Sequence, residues 1–199
     1  MTTTSPDDGS AEHDPRIARS RAKLLAAATE LLVESGPSAV PVDAVAERSG
    51  VAKSTLYRHW SSRDELLVDV MRSHVPEVPP TDLSAGFEAA LRSQMSIAVG
   101  VFSDPEWLRI LPSLVSLQHH VPQMAELMAA DRAAKLAMLR GVIDLGVAEG
   151  RLPAGLEPMT VLHLLIGPLM FAVLSGDGDS ARLPALADEV VERFLASYR

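Results

Sequence analysis

The sequence predicts an all-α protein with an N-terminal three-helix helix-turn-helix domain and a larger C-terminal helical domain. Three observations carry this. The 199 residues are 47% hydrophobic but only 4% aromatic, the balance of an Ala- and Leu-rich helical chain long enough to bury a core. Apolar residues recur three and four positions apart in segment after segment. Gly and Pro fall between these segments and mark where each helix stops.

Residues 1–15, MTTTSPDDGSAEHDP, are polar and have no apolar stripe, so a disordered arm is expected. Arg16, Arg19, Arg21 and Lys23 follow directly, a basic cluster that suits either phosphate contact or a solvated helix start. The first helix buries Leu24, Ala28, Leu31 and Leu32 and ends at Ser35-Gly36-Pro37. It is scaffold for what comes next.

The run from Val42 to Leu67, VDAVAERSGVAKSTLYRHWSSRDELL, reads as two short helices joined by a tight turn. Val42, Val45 and Ala46 share one face of the first, and Ser49-Gly50 supplies a left-handed stop. Val51 plugs the junction, while Ala52, Leu56 and Trp60, four apart, form the inward stripe of the second. Lys53, Ser54, Tyr57 and Arg58 are left on one outer surface about 10 to 12 Å across, a size that suits the major groove. Lys53 and Arg58 are the candidates for reading guanine, Ser54 and Thr55 for phosphates or base edges, and Thr55 also for a thymine methyl. His59 is a candidate for backbone or base contact or for a structural place beside Trp60. Pro41 and Ala52 precede the two helices, so neither start has a side-chain cap, at a cost of about 0.5 to 2 kcal/mol each when nothing replaces it. Pro41 compensates in part if it occupies the first helical position. The uncapped amides would receive phosphate oxygens or water.

These residues, with the upstream RAKLLAAATELLVESG, resemble the DNA-binding motif of the tetracycline-repressor (TetR) family of transcriptional regulators. The resemblance covers about the first third of the chain. It implies a homodimer that binds a palindromic double-stranded DNA operator, with a C-terminal domain that binds a small apolar or amphipathic effector and then releases DNA. It also implies that Tyr57 is a phosphate ligand and that Arg63 stands where the family has a phosphate-contacting Lys. The domains expected are a helix-turn-helix domain over 16–62 and a ligand-binding and dimerisation domain over 63–199. Its first helix, 63–75, with Leu66, Leu67, Val70 and Met71 inward, would link the two and act as the lever between them.

Beyond it five or six helices are expected. Leu83, Phe87, Ala90, Leu91, Gln94 and Ala98 make one stripe; Trp107, Leu111, Leu114 and Val115 make another, kinked or split by Pro112. A long helix over 122–149 carries two stripes, Leu127, Ala134, Met138, Val142 and Leu145 on one, Met128, Leu136, Leu139 and Ile143 on the other. PMTVLHLLIGPLMFAVL, 158–174, is apolar nearly all round but too short and interrupted for a membrane span, so it must be buried on two sides. Pairing it with the long helix and their symmetry mates gives a four-helix dimer interface through Leu136, Leu139 and Ile143 of one and Leu162, Ile166, Leu169, Met170 and Val173 of the other. A last helix, 183–198, buries Leu186, Val190 and Phe194. The effector pocket would be walled by Met71, Phe87, Leu91, Met95 and Phe102, and by Trp107, Leu111, Met124, Leu127 and Met128, since Met and aromatics make an adaptable apolar surface. Gln94, His119, His120, Gln123, Asp131 and His163 are the polar groups available to orient an effector.

Charge agrees with this division. The net −8 splits into −4 over residues 1–15, +4 over 16–63 and −8 over 64–199, a basic reading head on an acidic body. Other classes fit less well. There are no cysteines, which excludes disulfides, thiolate metal sites and thiol catalysis. No Glu-x-x-His pair, phosphate-binding glycine loop or nucleophile motif points to an enzyme. His119-His120 lack a carboxylate partner, and SGDGDS at 175–180 lacks the spacing of a calcium loop, so neither metal nor cofactor is expected. With no basic start followed by an apolar core at the N-terminus, a cytoplasmic location is the expectation. A carrier for apolar molecules would share the pocket but leave Lys53, Tyr57 and Arg58 unexplained.

Overall fold

A computed structural model describes residues 15–176 and 181–198. The expected arm, apart from Pro15, and most of the 175–180 loop lie outside the described residues. Among the described residues the chain forms only helices: α1 (Pro15–Ser35), a 3-10 turn (Pro37–Ala39), α2 (Val42–Ser49), α3 (Lys53–His59), α4 (Arg63–His74), α5 (Phe87–Phe102), α6 (Pro105–Leu117), α7 (Pro122–Ala148), α8 (Pro158–Leu174) and α9 (Leu183–Ala196).

Two compact units divide between Ser73 and His74. The boundary expected at residue 63 is therefore displaced, and α4 is built almost wholly into the first unit. Its apolar face is buried there, and its polar side chains add to this: Arg63 donates to the carbonyls of Pro37 and, at 2.9 Å, Val40, while Asp69 accepts from the indole of Trp60 at 2.9 Å and pairs with Arg21. Ser62 caps the start of the helix, the Glu65 amide donating to Ser62 Oγ at 3.1 Å, and the Glu65 carboxylate reaches back to accept from the amide and hydroxyl of Ser61.

Within this unit Leu24, Ala28 and Leu32 of α1, Val45 of α2, Leu56 of α3 and Leu66, Leu67, Val70 and Met71 of α4 are fully or almost fully buried. Leu31 is half-buried. Gly50 closes α2 at φ 66°, a left-handed geometry that a side chain resists. Neither Pro41 nor Ala52 makes a side-chain cap bond. Two expectations need correction here. Pro41 is the extended N-cap of α2 and not its first helical residue, and Ala52 caps α3 in an exposed position, so the inward stripe of α3 is Leu56 and Trp60 alone.

The second unit buries Phe87, Ala90, Leu91, Met95 and Phe102 of α5 against Leu139, Val142 and Ile143 of α7, Val161, Leu165 and Leu169 of α8, and Val190, Val191 and Phe194 of α9. α5 opens at Gly86, φ 89°, whose neighbour Phe87 donates its amide to the Glu149 carboxylate at 3.0 Å, so the end of α7 caps the start of α5. Leu83 precedes the helix and is exposed. α6 starts on Asp104, which accepts from the Glu106 amide at 2.9 Å, with Pro105 at its first position. Pro112 does not split it; the helix runs on to Leu117 with Val115 on its exposed face.

The apolar faces of α7 and α8 are apportioned differently from expectation. Leu139, Ile143 and Leu169, expected between subunits, are 5%, 3% and 0% exposed inside this one unit, which leaves them no surface to offer a partner. α8 instead exposes Leu164, Phe171 and Leu174, at 53%, 72% and 60%. Leu136 and Val173 are half-buried. No described helix is long and apolar enough to cross a membrane.

Candidate nucleic-acid interface and effector cavity

α3 is held from beneath by Leu56, 0% exposed, and by Trp60 at its C-terminal end. Trp60 is fixed twice, by its indole bond to Asp69 and by the Arg21 guanidinium 5.6 Å above its ring. Arg21 and Asp69 are themselves paired, so α1, α3 and α4 meet in one polar knot around a buried indole. The outer surface of α3 is thereby fixed in orientation, and Lys53, Ser54, Tyr57 and Arg58 all stand on it exposed. Thr55 is half-buried at its edge.

The cations of this surface differ in what they have left to give. Lys53 pairs with Asp43 of α2. Arg58 is exposed and makes no ion pair with any described residue, so its whole fork of donors is available. Arg63 is different again. Its bonds to the Pro37 and Val40 carbonyls answer backbone acceptors of the 3-10 turn, which corrects its assignment as a phosphate contact: the side chain is a bracket inside the unit. His59 is half-buried, with Nε2 3.1 Å from Ser20 Oγ and its ring 5.3 Å from that of Trp60, the structural alternative of the two weighed for it.

Burial, and then the nearby Arg21 charge, hold the His59 pKa below its ordinary value. The unfolded chain therefore binds this proton more readily than the folded one, so the contribution of neutral His59 is intact at neutral pH and is lost as pH falls through the His range. Thermal unfolding followed from about pH 7 down to 5 is expected to show a stability loss that His59→Gln lessens.

In the second unit a cavity of about 500 Å³ lies among four helices. α5 supplies Gln94, Met95, Ile97, Ala98, Val101 and Phe102; α6 supplies Trp107; α7 supplies Lys135 and Leu139; α8 supplies Leu162, His163, Leu165, Ile166, Gly167 and Met170, and Val78 completes the wall. Its size falls in the range of sites that enclose small organic molecules. Of the expected pocket residues it brings together Met95, Phe102 and Trp107. The others are placed elsewhere: Phe87 and Leu91 in the core, Leu111 and Met124 buried in α6 and α7, Leu127 and Met128 half-buried, and Met71 in the first unit. Leu162, Ile166 and Met170, expected at the dimer interface, wall the cavity, because α8 turns this face toward α5. Gln94 and His163 do reach it, whereas Asp131 stands behind Lys135, its carboxylate 2.7 Å from the ammonium. His119, His120 and Gln123 are exposed. Lys135 was the missed residue; it is the one lysine of α7, between Arg132 and Arg140, and its position four residues after Asp131 was the available signal. No group of three potential metal ligands occurs among the described residues.

Comparison with known proteins identifies the family of the chain. Residues 24–70 match the model for bacterial regulatory proteins of the tetR family, and residues 84–196 match that for the tetracyclin repressor-like C-terminal domain. The chain is 25% identical over 186 residues to the HTH-type transcriptional regulator YdeS of Bacillus subtilis, covering 90% of each. It is 42% identical over 79 residues to the HTH-type transcriptional activator FasR of Mycolicibacterium smegmatis, covering 40% of this chain and 33% of that one. Among solved structures, the flavonoid-responsive regulator FrrA shares 24% identity at a TM-score of 0.70, covering 90% of this chain and 97% of the other. NalD, described as the secondary repressor of the MexAB-OprM multidrug efflux pump in Pseudomonas aeruginosa, shares 20% at 0.68, covering 89% and 95%.

Proposed function

The chain belongs to the tetR family of bacterial regulatory proteins and is a transcriptional regulator, and on that premise we propose that it is a dimeric repressor released from its operator by a small amphipathic molecule. One observation carries the proposal: a basic, exposed α3 surface and an apolar cavity occur in separate compact units of one chain. Lys53, Ser54, Thr55, Tyr57 and Arg58 enter the major groove, where Arg58 reads base edges and Tyr57 and Ser54 hold phosphates. The ligand-responsive and repressing behaviour described for FrrA and NalD supports the same reading. The FasR likeness spans only 79 residues, and repression is proposed over activation on the strength of the longer family match.

A dimer aligns two such heads on a palindrome. The surface proposed for it is the stripe Leu164, Phe171 and Leu174 of α8, spaced seven and three apart on one helical face and exposed in the single chain. Phe171→Glu is expected to give a folded monomer by sedimentation equilibrium, with operator affinity falling as avidity is lost. A variant that stays dimeric places the interface elsewhere.

The test of the whole proposal is binding of the purified protein to a duplex from upstream of its own gene, beside a scrambled duplex, as salt is raised. Specific binding whose log affinity falls linearly with log salt is expected. Binding to the cognate duplex that is salt-independent, or a protein that binds no duplex from its genomic neighbourhood, overturns it.

A further inference from the structure

The residues lining the cavity include one ammonium and no carboxylate, with Gln94 and His163 as the other polar side chains. From these we propose that its occupant is an amphipathic organic acid, an apolar body whose carboxylate is held by Lys135. The inference rests on reading the cavity as the effector site and names the effector's chemical class.

Lys135 is half-buried on α7, and its Nζ lies 2.7 Å from Asp131 Oδ2, one turn earlier on the same helix. Asp131 does not itself line the cavity. An ammonium has three protons; Asp131 takes one and fixes the head, leaving two donors for a ligand. Apart from Gln94 and His163 the remaining wall, with Leu139, Ala98, Ile97 and Ile166, is apolar, so a charge placed there is weakly screened and its sign matters. A cationic head would meet the ammonium with no lining carboxylate to offset it. A neutral head would accept a hydrogen bond from the ammonium but forgo the ion pair that a carboxylate makes with it.

Trp107 closes the cavity on the side of α6. It lines the cavity and is 8% exposed, and its indole Nε1 is buried with no hydrogen-bond partner among the described residues. Indole is a donor only, and buried donors are ordinarily paired. With Nε1 lying beneath the cavity surface and out of a ligand's reach, it is Lys135 that assigns the ligand's head, and its positive charge with no lining acid beside it selects an anionic acceptor.

Three probes with the same tail and different heads test this: decanoate, 1-decanol and decylamine, titrated calorimetrically into the full chain. Decanoate is expected to bind about tenfold or more tighter than the other two. Lys135→Met is expected to abolish that preference while leaving the affinity for decanol within about twofold. Asp131→Asn, which frees the ammonium, is expected to strengthen decanoate binding and gives a second readout if Lys135→Met fails to fold. Equal or tighter binding of decanol or decylamine, a preference that survives in Lys135→Met, or no binding of decanoate to the folded protein overturns the inference. Decanoate that binds through Lys135 yet leaves operator affinity unchanged would sustain the acid specificity and overturn the effector reading alone.

Discussion

Arg58→Ala is expected to weaken operator binding by about 1–3 kcal/mol, roughly 5- to 150-fold, and to narrow the gap between operator and scrambled duplex. The size of the effect follows from the state of its neighbours. Lys53 shares its charge with Asp43, and Arg63 has committed its guanidinium to the Pro37 and Val40 carbonyls. Arg58 is left as the cation of α3 that brings a full set of unspent donors to the groove. Arg63→Ala is expected to behave differently, lowering thermal stability first, with any loss of DNA affinity recovered where the protein remains folded. Asp43→Asn is expected to raise affinity modestly, since it removes a negative charge from the surface and releases Lys53. Fluorescence anisotropy across a salt series separates the roles. A phosphate ligand reduces the salt slope by about one and weakens both duplexes alike, whereas a base reader changes their ratio. If Arg58→Ala lowered both affinities equally, Arg58 would be a phosphate contact and base reading would fall to Thr55 and Ser54.

How much of this was readable in the sequence depends on whether a residue's neighbours are local. The α2–α3 unit was legible because its logic is internal: Leu56 and Trp60 lie one helical step apart, Gly50 marks the turn, and what remains faces out. The bounds of α8 were legible from Pro158 and from the length of its apolar run. Its faces were not. A helix that is apolar nearly all round carries no periodic mark to distinguish a core face, a cavity wall and an exposed stripe, so Leu169, Ile166 and Phe171 look alike in sequence and occupy three different environments. Periodicity fails for the same reason on α7, where Leu139 lines the cavity and Ile143 joins the core. Arg63 was misread because its partners, two carbonyls more than twenty residues upstream, belong to a turn whose acceptors leave no sequence signature. Asp69 is a parallel case: nothing in RDELLVDV shows that this carboxylate, and not Asp64, reaches Trp60 and Arg21.

The largest stability effects are expected where α5 meets α7. Phe87 is 1% exposed, and Gly146 is the residue of α7 that lies against its ring. A Cβ added at Gly146 would fall 2.8 Å and 2.9 Å from two Phe87 ring carbons and 2.9 Å from Leu152 Cδ1, all inside contact distance. Leu152 can swing aside. The Phe87 ring has less freedom, because its backbone amide is tied to Glu149 at the head of α5. Helix propensity alone favours Gly146→Ala by roughly 1 kcal/mol, but overpacking of this kind costs about 1–3 kcal/mol, and with a rigid ring as the obstacle the net result is destabilising. Phe87→Ala is expected to cost about 3–5 kcal/mol, since it removes a fully buried aromatic and leaves a cavity beside a residue with no side chain to fill it. The two sites must therefore couple. In a Phe87→Leu background the space released by the ring admits the new methyl, so Gly146→Ala is expected to become neutral or stabilising there while remaining harmful in the wild type. Urea denaturation of the four proteins measures the cycle, with unchanged m values required for the comparison. Additive costs would mean that the methyl displaces Leu152 and α7 shifts as a whole, and that the Phe87–Gly146 contact does not set the spacing of these helices.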